Sequence, residues 1–381
     1  MCESERNQAF AMRSVVVTIS WLVLLPMPGS EAHGQETWAL GPFARIDTAN
    51  PCLDPLISSR FLCPIRRTEV GWEAKDVFNP AAVVRGDSVY LFYRAQDSIG
   101  KPAGTSRIGL ARSADGLRFC RNPVPVLYPD NDFMKRYEWE GGCEDPRIVQ
   151  DDDGRYIMTY SAFDSRFARL AIATSTDLYH WKKEGLAFWA AGDGKYRDRP
   201  SKSGAIISRW INGTPVAVRI RGHYWMYWGD SDIHLATSED LIHWTPGEDS
   251  GGKLVVALST RKGVFDSRLV ESGPPAILTD SGIVFIYNSS NARADGDPRL
   301  PAGAYSAGQA LFEKDDPGRC IDRSASCFLR PETQYEVAGQ VHNVCFAEGL
   351  VFFRQRWLLY YGSADSRISV ISSPAKYLAP H

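Results

Sequence analysis

A Ser-x-Asp-x-x-x-aromatic turn recurs at Ser113, Ser175 and Ser238, 62 and 63 residues apart, and nothing else in the chain restricts its fold as much. Each copy closes the same unit: an aromatic strand, a strand of small and polar residues, then the turn. The clear copies are "VYLFYRA…SRIGLARSADGLRF", "YIMTYSAF…ARLAIATSTDLYHW" and "YWMYWGDSDIHLATSEDLIHW". A degenerate fourth, "VFIYNSSN…YSAGQALFEKDDP", and a fifth, "WLLYYGSADSRISVISS", follow. Such runs, split by Asp, Gly and Asn and lacking long helical periodicity, predict an all-β fold. A unit of about sixty residues makes one four-stranded sheet, which cannot cover both its own faces. Five units stacked radially can. The expected fold is therefore a five-bladed β-propeller, with two packed sandwiches as the rival.

In a propeller the innermost strands deliver side chains to one central funnel, so residues far apart in sequence converge. Acids and amides stand near the fronts of the repeats: Asn79 in "VFNPAAV", Asp145 in "EDPRI", Asp230 in "WGDSDI", Glu271 in "ESGPPAI" and Glu348 in "FAEGLVFF". Arg94, Arg107 and Asp365 fall on the strands that follow. Two carboxylates flanking a glycosidic bond are the minimum equipment for cleaving it, one as proton donor and one as activator of the nucleophile. Pro146 fixes its own φ and keeps Asp145 out of the right-handed helical region, which presents that carboxylate at a set angle before a strand expected from about Ile148. Glu271 also reads as an anchor for its own turn, Asp230 as the reserve base, and Glu348 as a strand cap. Trp139 and Trp228 suit either sugar stacking or the core. His342 and Asn343 fit the funnel, although a lone His is more often structural. The polar stretch "NARADGDPRLPAGAYS" reads as a loop that shapes the site or an oligomer contact.

Composition closes other routes. A net charge of -2 with mixed signs argues against a nucleic-acid partner. No nucleotide-binding glycine motif, G-x-S-x-G or metal-spaced His pair occurs, so no cofactor or metal is expected. Arg13 followed by "SVVVTISWLVLLPMP" and "GSEAHG" predicts an export signal with cleavage near Ala32; Met12 is a credible start. The apolar run is too short, and too broken by Pro26 and Pro28, for a membrane span. Residues 1–33 are set aside, and residues 34–381 are expected to form one domain. In an oxidising compartment Cys52 could bridge Cys63, and Cys320 could bridge Cys327.

The elements "FNPAAV", "YRAQD", "SRIGLARSADG", "GGCEDPRI", "LIHW", "SGPPAI" and "YYGSADSRI", in this order from Trp72 to Val370, resemble glycoside hydrolase family 130. That family comprises mannoside phosphorylases and mannosidases on a five-bladed propeller. The resemblance implies that Asp145 is the proton donor, acting through a hydroxyl of the terminal mannose. It also implies that Asn79, Arg94, Arg107 and Asp365 grip the sugar in the -1 subsite. The phosphorylases carry His-Arg-Pro and Tyr-His-Gly stretches that hold phosphate. Here Tyr227-Trp228-Gly229-Asp230 and Tyr287-Asn288-Ser289 take those places. Asn288 becomes a substrate-contact candidate, and Glu271 puts a carboxylate where phosphate would sit. The resemblance is thus to the hydrolytic branch: an exported, inverting exo-β-mannosidase acting on β-1,2-linked oligosaccharides. The rivals are an inverting phosphorylase and a non-catalytic sugar-binding propeller, which would not need Asp145 and Glu271 together.

Overall fold

The computed structural model describes residues 37–374; the expected export signal lies outside the described residues. The protein is mostly β, and its strand pairings fall into five antiparallel groups. The first joins Asp76–Arg85, Ser88–Gln96, Ser106–Ser113 and Cys120–Arg121. The second joins Gly142–Gln150, Tyr156–Phe163, Ala168–Ser175 and Lys182–Leu186. The third links Ala205–Ile211 to His223–Trp228, Ile233–Ser238 and Trp244–Pro246. In the fourth, Leu269–Ser272 and Ala276–Thr279 both pair with Gly282–Ser290, followed by Tyr305–Phe312 and Cys320–Arg323. The fifth joins Cys345–Phe353, Arg356–Ser363 and Arg367–Pro374, and Ala44–Arg45 from the front of the described chain adds its outer strand.

The apolar residues explain why such groups must associate. Phe92, Ile108, Met158 and Tyr160 form one core between the first and second groups. Ile157, Leu170, Ile206 and Met226 form the next, between second and third. Ile207, Tyr227, Phe285 and Phe312 join third to fourth. Val284, Ile286, Leu350 and Tyr361 join fourth to fifth, and Val77, Leu91, Val351 and Leu358 join the fifth back to the first. Each sheet buries both faces only because it has a neighbour on each side. The drive is the removal of apolar surface from water, about 25 cal/mol per Å².

The recurring turn has one construction throughout. Ser113, Ser175 and Ser238 each accept backbone N–H bonds through Oγ, from Gly116, Leu178 and Leu241 at 2.8, 2.9 and 2.9 Å. Asp115, Asp177 and Asp240 cap the next two N–H groups of the loop. One buried tyrosine in each of the five groups adds a second repeat. Tyr93, Tyr160, Tyr287 and Tyr361 donate to the buried acids Glu73, Glu138, Asp266 and Glu336, while Tyr227 donates to the Pro317 carbonyl.

Some sequence expectations need correction, and others are narrowed. The strand carrying Asp145 starts at Gly142, so Asp145 lies inside it rather than before it. All seven cysteines within the described residues are free thiols, so neither expected bridge forms. Cys63 Sγ instead faces the Arg107 guanidinium at 3.7 Å, and Cys320 Sγ donates to the Asp322 carbonyl. The 291–304 loop is folded onto the buried side chain of Asn291, which bonds Asp297, Leu300 and Pro301. Trp228 is core: it packs on Phe188 at 4.8 Å and donates to the Leu235 carbonyl. Trp139 is half-buried beneath Arg66, and His342 is exposed. Among the described residues no helix is long and apolar enough to cross a membrane.

Candidate active site

The first strands of the first, second and fifth groups each carry a β-bulge near their N-terminal end. The ladder shifts register between Phe78 and Pro80, between Glu144 and Arg147, and between Ala347 and Gly349. The extra residues are Asn79, Asp145 with Pro146, and Glu348. Proline lacks the N–H a ladder needs, so Pro80 and Pro146 belong at bulges. The residues before them, Asn79 and Asp145, take φ of 47° and 51°, a left-handed region that Asn and Asp tolerate better than most. The bulges turn both side chains toward each other. Asn79 Nδ2 donates to Asp145 Oδ1 at 2.8 Å. Gly142, with φ 122°, lets this strand press on the first group; a Cβ there would lie 2.1 Å from the Ser106 carbonyl oxygen.

Around Asp145 the charges are dense. Arg94 spans two carboxylates, with Nη1 3.2 Å from Asp145 and Nη2 2.5 Å from Glu144. Lys202 Nζ lies 2.9 Å from Glu271 and 3.8 Å from Asp145. Glu271 also accepts from Ser203 Oγ. Arg147 crosses to the fourth and fifth groups: it donates to the Ser272 and Gly273 carbonyls and pairs with the fully buried Glu348 at 2.9 Å. Asp145, Glu271 and Glu348 are 2%, 4% and 0% exposed, so these charges interact in a poorly screened environment.

Their ionisation diverges accordingly. Burial works against an ionised Asp145, yet Arg94, Lys202, Asn79 and Arg147 outweigh it and hold the carboxyl below its usual range. Burial, with repulsion from Asp145, pushes Glu144 up despite Arg94 and Ser106. Burial also raises Asp365 to about 6, assisted by Asp145 and Glu271 and opposed by Arg94 and Lys202. Glu348 is raised well above the ordinary range, first by burial. Burial opposes the charge on Lys202, but Glu271, Asp145 and Asp230 raise its pKa further.

The structure thus brings together Asn79, Arg94, Asp145, Glu271, Glu348 and Asp365 from the sequence-based candidates. Three others stand apart. Arg107 pairs with Asp97 at 2.8 Å and is 1% exposed. It neighbours Ser106 in a strand, so its side chain takes the opposite face from Ser106 and Arg94. Asn288 spends both ends of its amide on Ala347, at 2.9 and 2.7 Å, and ties the fourth group to the fifth. Asp230 is exposed, on the rim of a cavity of about 300 Å³ also lined by Lys202, Phe167, Trp228 and His234. Sequence reasoning passed over Glu144, Arg147, Lys202 and Ser203. Glu144 and Arg147 flank Asp145 in the quoted motif; Lys202 and Ser203 come from an irregular "RPSKSG" segment that carries no periodic signal.

Asn79 Oδ1 is buried without a hydrogen-bond partner among the described residues. Its acceptor capacity is unused there, next to an Asp145 that its own amide nitrogen bonds. Paired carboxyls with such groups around them suit the cleavage of a glycosidic bond. Among the described residues no set of three or more His, Cys, Asp or Glu side chains is placed to hold a metal ion.

Comparison with known proteins agrees with this chemistry. Residues 57–378 match the family model for glycoside hydrolase family 130, described as beta-1,4-mannooligosaccharide phosphorylase. A 1,2-beta-oligomannan phosphorylase from Thermoanaerobacter sp. (strain X514) is 32% identical over 80% of this chain and 92% of its own. A glycosyl hydrolase structure from Bacteroides ovatus is 44% identical, with TM-score 0.87, covering 91% of this chain and 98% of that one. Another structure, 45% identical with TM-score 0.87, covers 90% of this chain and 97% of its own. It is described by the finding that the GH130 family of mannoside phosphorylases contains glycoside hydrolases that target beta-1,2 mannosidic linkages in Candida mannan. The chain belongs to glycoside hydrolase family 130 and is a mannoside-active enzyme, a hydrolase or a phosphorylase.

Proposed function

We propose that the protein is an exported, inverting exo-β-mannosidase that hydrolyses β-mannosides, chiefly β-1,2-linked manno-oligosaccharides. Its scaffold is a five-bladed β-propeller. The cyclic order of the five shared cores supports the propeller. The observation that carries the hydrolytic reading is a second buried carboxylate, Glu271, reaching the same ammonium as Asp145. The nearer oxygens of the two carboxylates are no farther apart than those two distances end to end. That bound admits both the roughly 5–5.5 Å spacing of retaining enzymes and the lower end of the roughly 6.5–9.5 Å spacing of inverting ones, so the anomer first released decides between them.

In this mechanism Asn79, Arg94 and Asp365 hold the terminal mannose. Asp145 protonates the leaving oxygen through a mannose hydroxyl, and Glu271 takes the proton of the attacking water. Asp230, at the rim, is the reserve base. A phosphorylase reading draws on Lys202, a cation near the nucleophile, and on the phosphorylases among the relatives. Lys202, however, already serves Glu271 and Asp145 and feels Asp230, so a phosphate dianion there would meet excess negative charge. Incubation with β-1,2- and β-1,4-mannobiose, with and without millimolar phosphate, tests the assignment. Free mannose at a rate that phosphate does not raise is expected. Mannose 1-phosphate as the main product would overturn it. Export is tested separately, by recovering from cells a protein whose N-terminus lies near Ala32.

A further inference from the structure

Asp145 is surrounded by donors. Asn79 Nδ2 and Arg94 Nη1 both reach its Oδ1, and the Lys202 ammonium lies 3.8 Å from Oδ2. Such a cradle suits a carboxylate, not a carboxylic acid. A proton donor must first possess a proton, so the free enzyme needs somewhere else to keep one. The neighbouring residue offers the place. Glu144 sits on the same bulge, 7% exposed, and shares the Arg94 guanidinium with Asp145. Ser106 Oγ donates to Glu144 Oε1 at 2.9 Å, and Arg94 Nε donates to that hydroxyl at 3.0 Å. Ser106 and Arg94 both meet Glu144 at Oε1, whereas Asp145 is approached at both of its oxygens; Glu144 Oε2 has no hydrogen-bond partner among the described residues, which leaves it the oxygen of this assembly able to carry a proton.

We propose that Glu144 is the proton-holding partner of Asp145: it carries the site's proton in the free enzyme and yields it to Asp145 once a mannoside is bound. The proposal rests on the mannosidase reading above. The groups that face the pair are Arg94 from the first group, Lys202 from the segment before the third, Asp365 and Glu348 from the fifth, and Arg147 on the same strand. Glu271 lies beyond Lys202. Opposite shifts in the two carboxyls, Glu144 up through burial and Asp145 down through its cations, agree with one proton resting on Glu144. Glu144 acts through Asp145 and is a positioning residue in that sense.

The proton account closes. Glu144 gives its proton to Asp145, which passes it through the mannose hydroxyl to the glycosidic oxygen. The C–O bond breaks, and its electron pair leaves with that oxygen. Water bonds to the anomeric carbon, and its proton goes to Glu271. Exchange with solvent returns a proton from Glu271 to Glu144, and nothing is oxidised or reduced.

β-Mannosyl fluoride separates this role from a structural one, because fluoride departs with little help from an acid. Glu144→Gln, Glu144→Asp and Asp145→Asn are compared with wild type on β-1,2-mannobiose and on the fluoride, across pH. Glu144→Gln should lower kcat on mannobiose by about 10²-fold, abolish the high-pH limb of its profile, and lose far less on the fluoride. Glu144→Asp should restore part of the rate and shift that limb. Equal losses on both substrates in a folded Glu144→Gln, or an unchanged profile, would refute the partnership. If Glu144→Gln fails to fold, an unshifted limb in Glu144→Asp does the same. A wild-type enzyme inactive on both substrates would remove the mannosidase reading itself, and this proposal with it.

Discussion

The Ser-x-Asp turns and the strand bulges both recur along the chain, yet they repeat in different ways. The turns at Ser113, Ser175 and Ser238 repeat residue for residue, with the same serine and aspartate bonds. At the bulges the backbone device recurs while the side chain changes: Asn79, Asp145 and Glu348. A turn has one task in every copy, satisfying loop N–H groups, and one solution serves it. The bulges face one shared space, where each side chain meets the others and must differ from them. Repetition in sequence therefore marks scaffold, and repetition in geometry with divergent residues marks the site.

The largest predicted contrast is between Asp145 and any turn residue. Asp145→Asn should lower turnover by roughly 10²–10⁴-fold while the melting temperature stays close to wild type. Near-normal rates in the folded variant would remove Asp145 from the mechanism. Next comes Arg107, one residue from Ser106 but on the other face. Arg107→Ala should cost about 3–5 kcal/mol in denaturant unfolding, because it strands the buried Asp97 carboxylate. Its KM in the folded fraction should stay near wild type. A raised KM with intact stability would return Arg107 to the sugar site.

Ser238→Ala should cost about 1 kcal/mol, since the Asp240 and Leu241 N–H groups lose their acceptor, and kcat should not move. A change in kcat would blur the division between scaffold and site. A pH-dependent contrast concerns Asp365, raised from 3.8 to about 6, first by burial. Between those values the folded state binds more protons than the unfolded, so this group's contribution to stability is lost as pH rises through that window. Asp365→Asn should flatten the decline in denaturant midpoints between about pH 4 and 6; a decline of unchanged slope would contradict the assignment.

Strand positions and the repeat were legible because period-two apolar runs and Ser-x-Asp turns are local signals. Asp145 was legible because the proline after it restricts the backbone, and Asn79 because it stands at the front of a repeat. Arg107 and Asn288 were misjudged for a reason of geometry. A motif match gives a position along the strand, but burial partners such as Asp97 and Ala347 come from distant chain. Lys202 was missed because its position follows from the packing of an irregular segment against Glu271, which has no local signature. The cysteine pairs failed similarly: closeness in sequence did not bring Cys52 to Cys63.

The central claim is that Asp145 and Glu271 act from opposite sides of the anomeric carbon. The most direct test is NMR of the first minutes of β-mannoside cleavage, before mutarotation mixes the anomers. The account predicts α-mannose as the first product, and an inactive Glu271→Gln that still binds substrate. An α product from an active Glu271→Gln, with Asp230→Asn dead, would keep inversion and move the base to Asp230. A β product would mean retention through a covalent intermediate, and would contradict the account.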